Sequence, residues 1–138
     1  MKPPAKGYVL DTNVILRYLL SDDPEQSPRS EALMEKLESG KEGAELPPVV
    51  ITELVWTLNK FYKVPRSEIS EKLTRILGFR GVVSPEKKLV SEALALYNQS
   101  RADFVDCFLA AKSRREGITV YSFDKDDFNK LGCQWKEP

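Results

Sequence analysis

Four carboxylates lie in stretches of the chain that a fold could bring together. Asp11 follows a short apolar run, and Glu53 lies inside a mostly apolar helical stretch. Asp106 falls in the first turn of a predicted helix, and Asp124 follows the clearest predicted strand. Carboxylates gathered at one place repel one another unless a divalent cation neutralises them. Because ligation by oxygen alone suits Mg2+ or Mn2+ better than Zn2+, these residues indicate a site for one of those two ions.

Glu53 is the acid whose neighbours most favour a functional role. The residues from Val49 to Trp56 that surround it are almost all apolar, which predicts that its side chain is buried. An unpaired carboxylate in an apolar interior is destabilising by several kcal/mol. We therefore expect Glu53 to face a cation or water.

The other acids also have purely structural explanations. Asp11 and Asp103 are of a residue type favoured as helix N-caps. Asp106, three residues after Asp103, is favourable at the positive end of a helix macrodipole. Asp124 and Asp127 belong to a cluster that is also compatible with an ordinary acidic turn.

The composition narrows the possible chemistry. The 138 residues include no histidine, and the two cysteines, Cys107 and Cys133, form no close pair. These facts exclude zinc fingers, histidine general bases and nucleophile systems built on histidine. The length, with 41% hydrophobic and 30% charged residues, predicts one globular domain spanning residues 1–138.

The hydropathy pattern argues against membrane and secreted proteins. No apolar run approaches the length of about 18 residues that spans a bilayer. The first residues lack the basic, apolar and small-residue pattern of a secretory leader. We therefore expect a cytoplasmic protein that does not bind a membrane.

The charges are balanced overall but unevenly distributed. The chain has 21 basic and 21 acidic residues, for a net charge of zero. Residues 21–53 carry nine acidic and three basic side chains, whereas residues 60–88 carry eight basic and three acidic. The basic segment is either the solvated face of amphipathic helices or a rim that attracts phosphates.

Hydrophobic spacing and capping signals predict helices that alternate with short strands. The predicted strands are residues 8–10, 79–83 and 118–123. The predicted helices are residues 14–20, 27–39, 49–62, 65–77, 85–99 and 103–116. Ser84 is expected to cap the fifth of these helices.

This alternation favours an α/β fold, a three-layer α/β/α sandwich with a central, mainly parallel sheet. In such folds ligands bind beyond the carboxyl ends of the strands. Asp11 and Asp124 each directly follow a predicted strand, which places both acids at one edge of the sheet.

Four segments of the chain contain the candidate acids, and they are residues 9–15 (VLDTNVI), 51–54 (ITEL), 103–111 (DFVDCFLAA) and 120–128 (VYSFDKDDF). Together these segments resemble the PIN domain, most closely the VapC-like ribonuclease toxins of prokaryotic toxin–antitoxin pairs. Each segment is weakly specific by itself. Their order, their spacing and the setting of each acid match the family over nearly the whole chain.

The resemblance implies a set of metal ligands and of residues around them. By correspondence of motifs, the catalytic metal ligands are Asp11, Glu53, Asp106 and Asp124. The residues that orient these carboxylates or a metal-bound water, or that cap the helices, are Thr12, Asn13, Asp103, Ser122 and Asp127. Asp127 is also an alternative to Asp124 as the last ligand.

The activity that the resemblance implies is hydrolysis of RNA phosphodiester bonds with the help of Mg2+ or Mn2+. In such a reaction the ion lowers the pKa of a bound water and stabilises charge on the phosphate, with no covalent enzyme intermediate. Four carboxylates are compatible with one ion or with two. Basic residues on the helices beside the site are candidates to steer the RNA backbone, and they are Lys60, Lys63, Arg66, Arg114 and Arg115.

The resemblance also implies partners. A small antitoxin would cover the acidic site in the inactive state, and two copies of the chain would form a homodimer through the helical layer. One alternative is a nuclease of the same fold that matures RNA or cuts structured RNA without an antitoxin. Another is a PIN-like binding module that has lost catalysis, although the presence of all four acids argues against it.

Overall fold

The strands are short, and all of their pairings are parallel. The computed structural model describes residues 7–138. Strand β1 (Ala44–Glu45) pairs with β2 (Val82–Val83), and Val9 forms a parallel bridge to Glu45, so that β1 lies between them. Strand β3 (Val120–Tyr121) pairs with β4 (Trp135–Lys136). The predicted parallel pairing is confirmed, but each regular strand is only two residues long.

Most of the described chain is helical. The helices are α1 (Thr12–Leu20), α2 (Gln26–Ser39), α3 (Pro48–Trp56), α4 (Arg66–Leu77), α5 (Lys87–Gln99), α6 (Phe104–Glu116) and α7 (Lys125–Leu131). Helix α3 continues directly into a π-helical turn, Thr57–Phe61. The six predicted helices are present with bounds within a few residues, whereas α7 is absent from the predictions. Within residues 7–138, no helix is both long and apolar enough to cross a membrane.

One predicted helix cap is wrong, and one prediction concerns residues that the structure does not describe. The prediction that Ser84 caps α5 is wrong, because Glu86 precedes the helix with φ −117° and ψ 41°. A turn therefore separates Ser84 from α5, and among residues 7–138 its buried hydroxyl oxygen has no hydrogen-bond partner. The prediction that no leader begins the chain falls on residues 1–6, outside the described residues.

A single apolar core packs the helices together. It also fixes the relative positions of the helices that contain or follow the candidate acids. Its fully buried side chains include Ile15 of α1, Leu37 of α2 and Leu54 of α3. Burial of such side chains contributes about 25 cal/mol per Å2 of apolar surface. Helix α3 contacts both α1 and α6. The helix of Glu53 therefore lies between the helix that follows Asp11 and the helix that contains Asp106.

Helix α2 begins after a capping arrangement centred on Asp23. The Asp23 carboxylate accepts hydrogen bonds from the backbone N–H groups of Gln26 at 2.7 Å and Glu25 at 2.9 Å. In return, the Asp23 backbone N–H donates to the Ser27 hydroxyl at 3.2 Å. The two bonds from backbone N–H groups hold the pKa of Asp23 below its ordinary value.

This cap predicts a specific pH dependence of stability. Because the pKa of Asp23 is lower in the folded protein than in the unfolded chain, its contribution is complete above about pH 4 and is lost as the pH falls through the folded-state pKa. An Asp23→Asn variant keeps a capping oxygen but does not titrate. We expect its melting temperature, measured by circular dichroism, to fall less than that of the wild type between about pH 5 and pH 2. Parallel curves for the two proteins would contradict this prediction.

Candidate metal centre

Three aspartates converge where α6 and α7 begin. Carboxylate oxygens of Asp106, Asp124 and Asp127 all lie within 4.8 Å of one another. Asp106 is in the first turn of α6, Asp127 is in the first turn of α7, and Asp124 is the N-cap of α7. The structure thus brings Asp106 and Asp124 together as the sequence predicts, and it adds Asp127 to the same cluster.

Backbone hydrogen bonds shape the loop that presents Asp124. The Ser122 hydroxyl accepts a bond from the Asp124 backbone N–H at 2.9 Å. The Asp124 Oδ1 atom accepts a bond from the Asp127 backbone N–H at 3.1 Å. Asp124 is therefore both a cap and a member of the acidic cluster, and its second carboxylate oxygen is left for a ligand.

The cluster concentrates negative charge. Burial raises the pKa of Asp106, and the neighbouring carboxylates of Asp103, Asp127 and Asp124 raise it further. Burial and the adjoining Asp124 also raise the pKa of Asp127, while Lys130 acts in the opposite direction. Among residues 7–138, these four aspartates take part in no ion pair. The mutual repulsion is therefore not offset by a paired protein cation.

The donor set fits a hard divalent cation. Three carboxylates within bridging distance offer oxygen ligands alone, which is the preference of Mg2+ and Mn2+. A cation at this point would also offset the repulsion that raises the pKa values of Asp106 and Asp127. The residues present thus fit such an ion.

Asp11 and Glu53, the two other predicted metal ligands, lie at the start of α1 and on α3. Asp11 precedes α1 as its N-cap, but its carboxylate makes no capping hydrogen bond. The carboxylate of Asp11 is therefore not used to cap α1, which was the structural explanation that its sequence position allowed. Both carboxylates fall outside the group whose oxygens converge within 4.8 Å.

Thr12 connects the start of α1 to Glu53. Its side chain is buried, with 7% of its surface exposed, and its hydroxyl donates a hydrogen bond to Glu53 Oε1. Because Thr12 directly follows Asp11, this bond holds one carboxylate oxygen of Glu53 at the start of α1. The other carboxylate oxygen of Glu53 is left available.

The prediction that Glu53 is buried is wrong, because its side chain is exposed. The exposed positions along α3 and the π-helical turn are Val49, Glu53, Trp56 and Lys60. These positions recur at the period of a helix and lie on one face. The apolar run therefore includes an outward face, and Glu53 lies on that face.

Two residues that were predicted to orient the carboxylates or to cap the helices make other contacts. The Asn13 amide donates to Gln26 Oε1 of α2 at 3.4 Å, so it is directed towards α2 and not towards a carboxylate. Asp103 is the N-cap of α6 but makes no side-chain capping bond. Its carboxylate instead contributes to the field that raises the pKa of Asp106.

The basic residues predicted to contact RNA are divided between two places. Lys60, in the π-helical turn, lines a cleft together with Asp103 and Asp106. Arg114 and Arg115 lie at the C-terminal end of α6, about 12 to 14 Å along the helix from Asp106 at 1.5 Å per residue. Arg115 also forms an ion pair with Glu92. The expectation that these two arginines lie beside the acidic cluster is therefore corrected, while their contact with RNA stays a prediction.

Arg66 has extensive contacts within the protein. Its Nε atom donates to the Tyr97 carbonyl at 2.9 Å, and a second guanidinium nitrogen donates to the Ala102 carbonyl. The guanidinium also lies 3.6 Å from the centre of the Tyr97 ring. Arg66 therefore joins the end of α5 to the residue that precedes Asp103. Lys63, by contrast, is exposed just after the π-helical turn.

Sequence reasoning missed Trp56 as a functional candidate. Trp56 lines the same cleft as Lys60 and Asp106, and the volume of this cleft is about 280 Å3. Its side chain is 63% exposed. The helical spacing of Glu53, Trp56 and Lys60 is the signal that could have separated Trp56 from its buried apolar neighbours.

Short parallel strands, many helices and carboxylates gathered where two helices begin define an α/β protein with an acidic site that fits a metal ion. A family model of the PIN domain matches residues 8–132. The chain is also 34% identical over 131 residues to a VapC ribonuclease of Aquifex aeolicus (strain VF5), covering 94% of this chain and 96% of that protein. The chain therefore belongs to the PIN-domain family. The predicted family and the α/β fold class are both confirmed.

Proposed function

We propose that the protein is a divalent-metal-dependent endoribonuclease of the VapC type. The observation that carries this proposal is the convergence of Asp106, Asp124 and Asp127 within 4.8 Å at the N-terminal ends of two helices. The matching PIN-domain model and the relative named as a VapC ribonuclease support the choice of RNA as substrate.

The acidic residues have separate roles in this proposal. Asp106, Asp124 and Asp127 hold Mg2+ or Mn2+, and Asp11 and Glu53 complete the acidic site from α1 and α3. When bound, the ion supplies a Lewis acid that activates water for attack and stabilises negative charge on the phosphate. Thr12 keeps Glu53 oriented, and the turn formed by Ser122 and Asp124 keeps Asp127 facing Asp106.

The RNA backbone needs positive charge near a site that is itself acidic. Lys60 lies at the cleft that contains Asp106, and Lys63 is three residues further along an exposed turn. Arg66 lines the same cleft while its guanidinium anchors the turn before α6. We propose that these residues steer RNA towards the acids, and that Arg114 and Arg115 contact more distant phosphates.

The hydrogen bond from Thr12 to Glu53 can be tested with two substitutions. Thr12→Val keeps the shape of the side chain but removes the hydroxyl, whereas Thr12→Ser keeps the donor. One hydrogen bond contributes about 1 kcal/mol, so the valine variant should bind Mn2+ roughly fivefold more weakly. Electron paramagnetic resonance of free Mn2+ measures this affinity. The serine variant should match the wild type, and equal affinity of the valine variant would show that Thr12 does not orient a metal ligand.

The activity itself is tested with a panel of labelled single-stranded and structured RNAs. The protein should cleave within the strand in Mg2+ or Mn2+, and excess chelator should stop the reaction. Asp11→Asn should abolish cleavage while the protein stays folded. If the wild type binds Mn2+ but cleaves no RNA of the panel under any metal, the inactive binding module becomes the better description.

We further propose a small protein antitoxin, a homodimer and a location in the cytoplasm, where RNA substrates are met. The relative's identification as a VapC ribonuclease supports the antitoxin. A small protein encoded next to the gene for this chain should abolish cleavage when the two proteins are co-expressed. Light scattering during size-exclusion chromatography should give twice the mass of the chain. Unchanged cleavage in the first experiment would favour the RNA-processing nuclease without an antitoxin.

A further inference from the structure

The outward face of α3 carries a large aromatic side chain between a carboxylate and an ammonium group. Glu53, Trp56 and Lys60 are spaced by three and four residues, so they are neighbours on the helix surface. All three are exposed, and Trp56 exposes 63% of its surface. Contact of this much indole surface with water is unfavourable, and a ligand that covers it gains free energy.

This face opens into the acidic site. Trp56 and Lys60 line a cleft of about 280 Å3 whose opposite wall includes Asp103, Val105 and Asp106. A group resting on Trp56 therefore lies beside Asp106 in the cleft and one helical turn from Glu53. The aromatic surface is thus continuous with the proposed metal centre.

Lys60 gives the cleft a charge suited to a phosphate. Among residues 7–138, no ion pair uses its ammonium group. It belongs to the π-helical turn, in which the Tyr62 backbone N–H reaches the Thr57 carbonyl at 3.2 Å. The Asn59 amide donates to the Val64 carbonyl at 3.2 Å and holds the end of this turn. Single π-helical turns inside helices often occur at functional sites.

We propose that Trp56 and Lys60 bind the nucleotide next to the scissile phosphate, with the base stacked on Trp56 and its phosphate contacted by Lys60. This inference rests on the proposed ribonuclease function and specifies its substrate. A base is free to stack on a side chain only where it is not already stacked inside a duplex. The substrate is therefore an unpaired segment of RNA, either a single strand or a loop.

Tryptophan fluorescence tests the stacking directly. The chain has two tryptophans, and Trp135 lies on β4 with its indole N–H bonded to Asn129 at 2.8 Å. In a Trp135→Phe protein, Trp56 is the only indole. A single-stranded RNA of about ten nucleotides, added in Ca2+ to limit cleavage, should quench its emission to saturation. The same sequence paired in a duplex should quench it far less, and equal quenching by both would overturn the assignment.

Substitutions at the two positions should separate stacking from charge. Trp56→Leu should bind the single strand about tenfold more weakly, whereas Trp56→Phe keeps an aromatic face and most of the affinity. Lys60→Gln should reduce the slope of log affinity against log salt by about one. Phe61→Leu is the matched control, because Phe61 is 71% exposed but does not line the cleft.

The alternative occupant of this face is a second copy of the chain. If Trp56→Leu converts a dimer into a monomer and leaves RNA affinity unchanged, the face is a contact between copies and the proposal is wrong. If the wild type cleaves RNA and Trp56→Leu keeps the same KM, the proposal fails while the ribonuclease function stands. If no RNA is cleaved but a single strand still quenches Trp56, the binding site stands and the ribonuclease function fails.

Discussion

Replacing Asp106 with asparagine should lower the rate of metal-dependent RNA cleavage at least about 100-fold. Loss of a residue that only supports a metal ligand typically reduces affinity or activity 10- to 100-fold, so loss of a ligand itself should reach at least the upper end of that range. Asp106 shares its cluster with Asp124 and Asp127. The amide keeps the size of the side chain but provides no negative charge.

The same substitution should stabilise the protein when no metal is present. Burial and three neighbouring carboxylates disfavour the charged form of Asp106 and raise its pKa, so a neutral side chain relieves repulsion. Added Mn2+ should raise the melting temperature of the wild type, because a ligand that binds only the folded state stabilises it. The variant should begin at a higher melting temperature and gain less from Mn2+. Activity lost together with stability would instead indicate a damaged fold.

Asp126 offers a matched control for the cluster. It lies next to Asp127 in the first turn of α7, is exposed, and does not belong to the converging group. Asp126→Asn should keep wild-type cleavage, whereas Asp127→Asn should lose it as Asp106→Asn does. Equal loss in both α7 variants would mean that net charge matters here, and not the geometry of the three aspartates.

The helices and the order of the acids could be predicted from the sequence because both depend on local patterns. Apolar spacing and terminal glycines define α2 and α6 closely, since each ends at a glycine with positive φ. The position of an acid after a strand also follows from local order, and it placed Asp11 and Asp124 at one edge of the sheet. The structure brings Asp124 together with Asp106, whereas Asp11 falls outside that converging group.

Two features of the site depend on three-dimensional packing. They are the exposure of Glu53 and the presence of Asp127 in the cluster with Asp106 and Asp124. An apolar run in a helix has an outward face wherever no other element covers it, and the sequence does not show which elements cover α3. The participation of Asp127 depends on the short helix α7, which begins where the Asp124 carboxylate accepts the Asp127 backbone N–H. A seven-residue helix has too little apolar periodicity to be recognised from sequence.

The largest effect on stability is expected from Gly81→Ala. A Cβ atom at this position would overlap the carbonyl oxygen of Glu42 and lie 2.9 Å from that of Leu37. Both obstacles are backbone atoms. The Gly81 N–H donates to the Leu37 carbonyl at 2.7 Å, and its own carbonyl accepts from the Ala44 N–H at 2.8 Å. The end of α2 and the start of β1 therefore cannot move aside without breaking these bonds.

We expect this variant to lose more than about 3 kcal/mol of unfolding free energy, or to fail to fold, because overpacking against backbone is added to the loss of hydrogen bonds. Urea denaturation measures the change. Gly78→Ala is the matched control, since its added Cβ would lie 3.3 Å from the nearest atom, the Arg75 carbonyl oxygen, and should have a much smaller effect. Equal stability of the two variants would contradict the prediction. Because β1 leads through Leu46 into α3, a displaced Gly81 should also disturb the helix that presents Glu53 and Trp56.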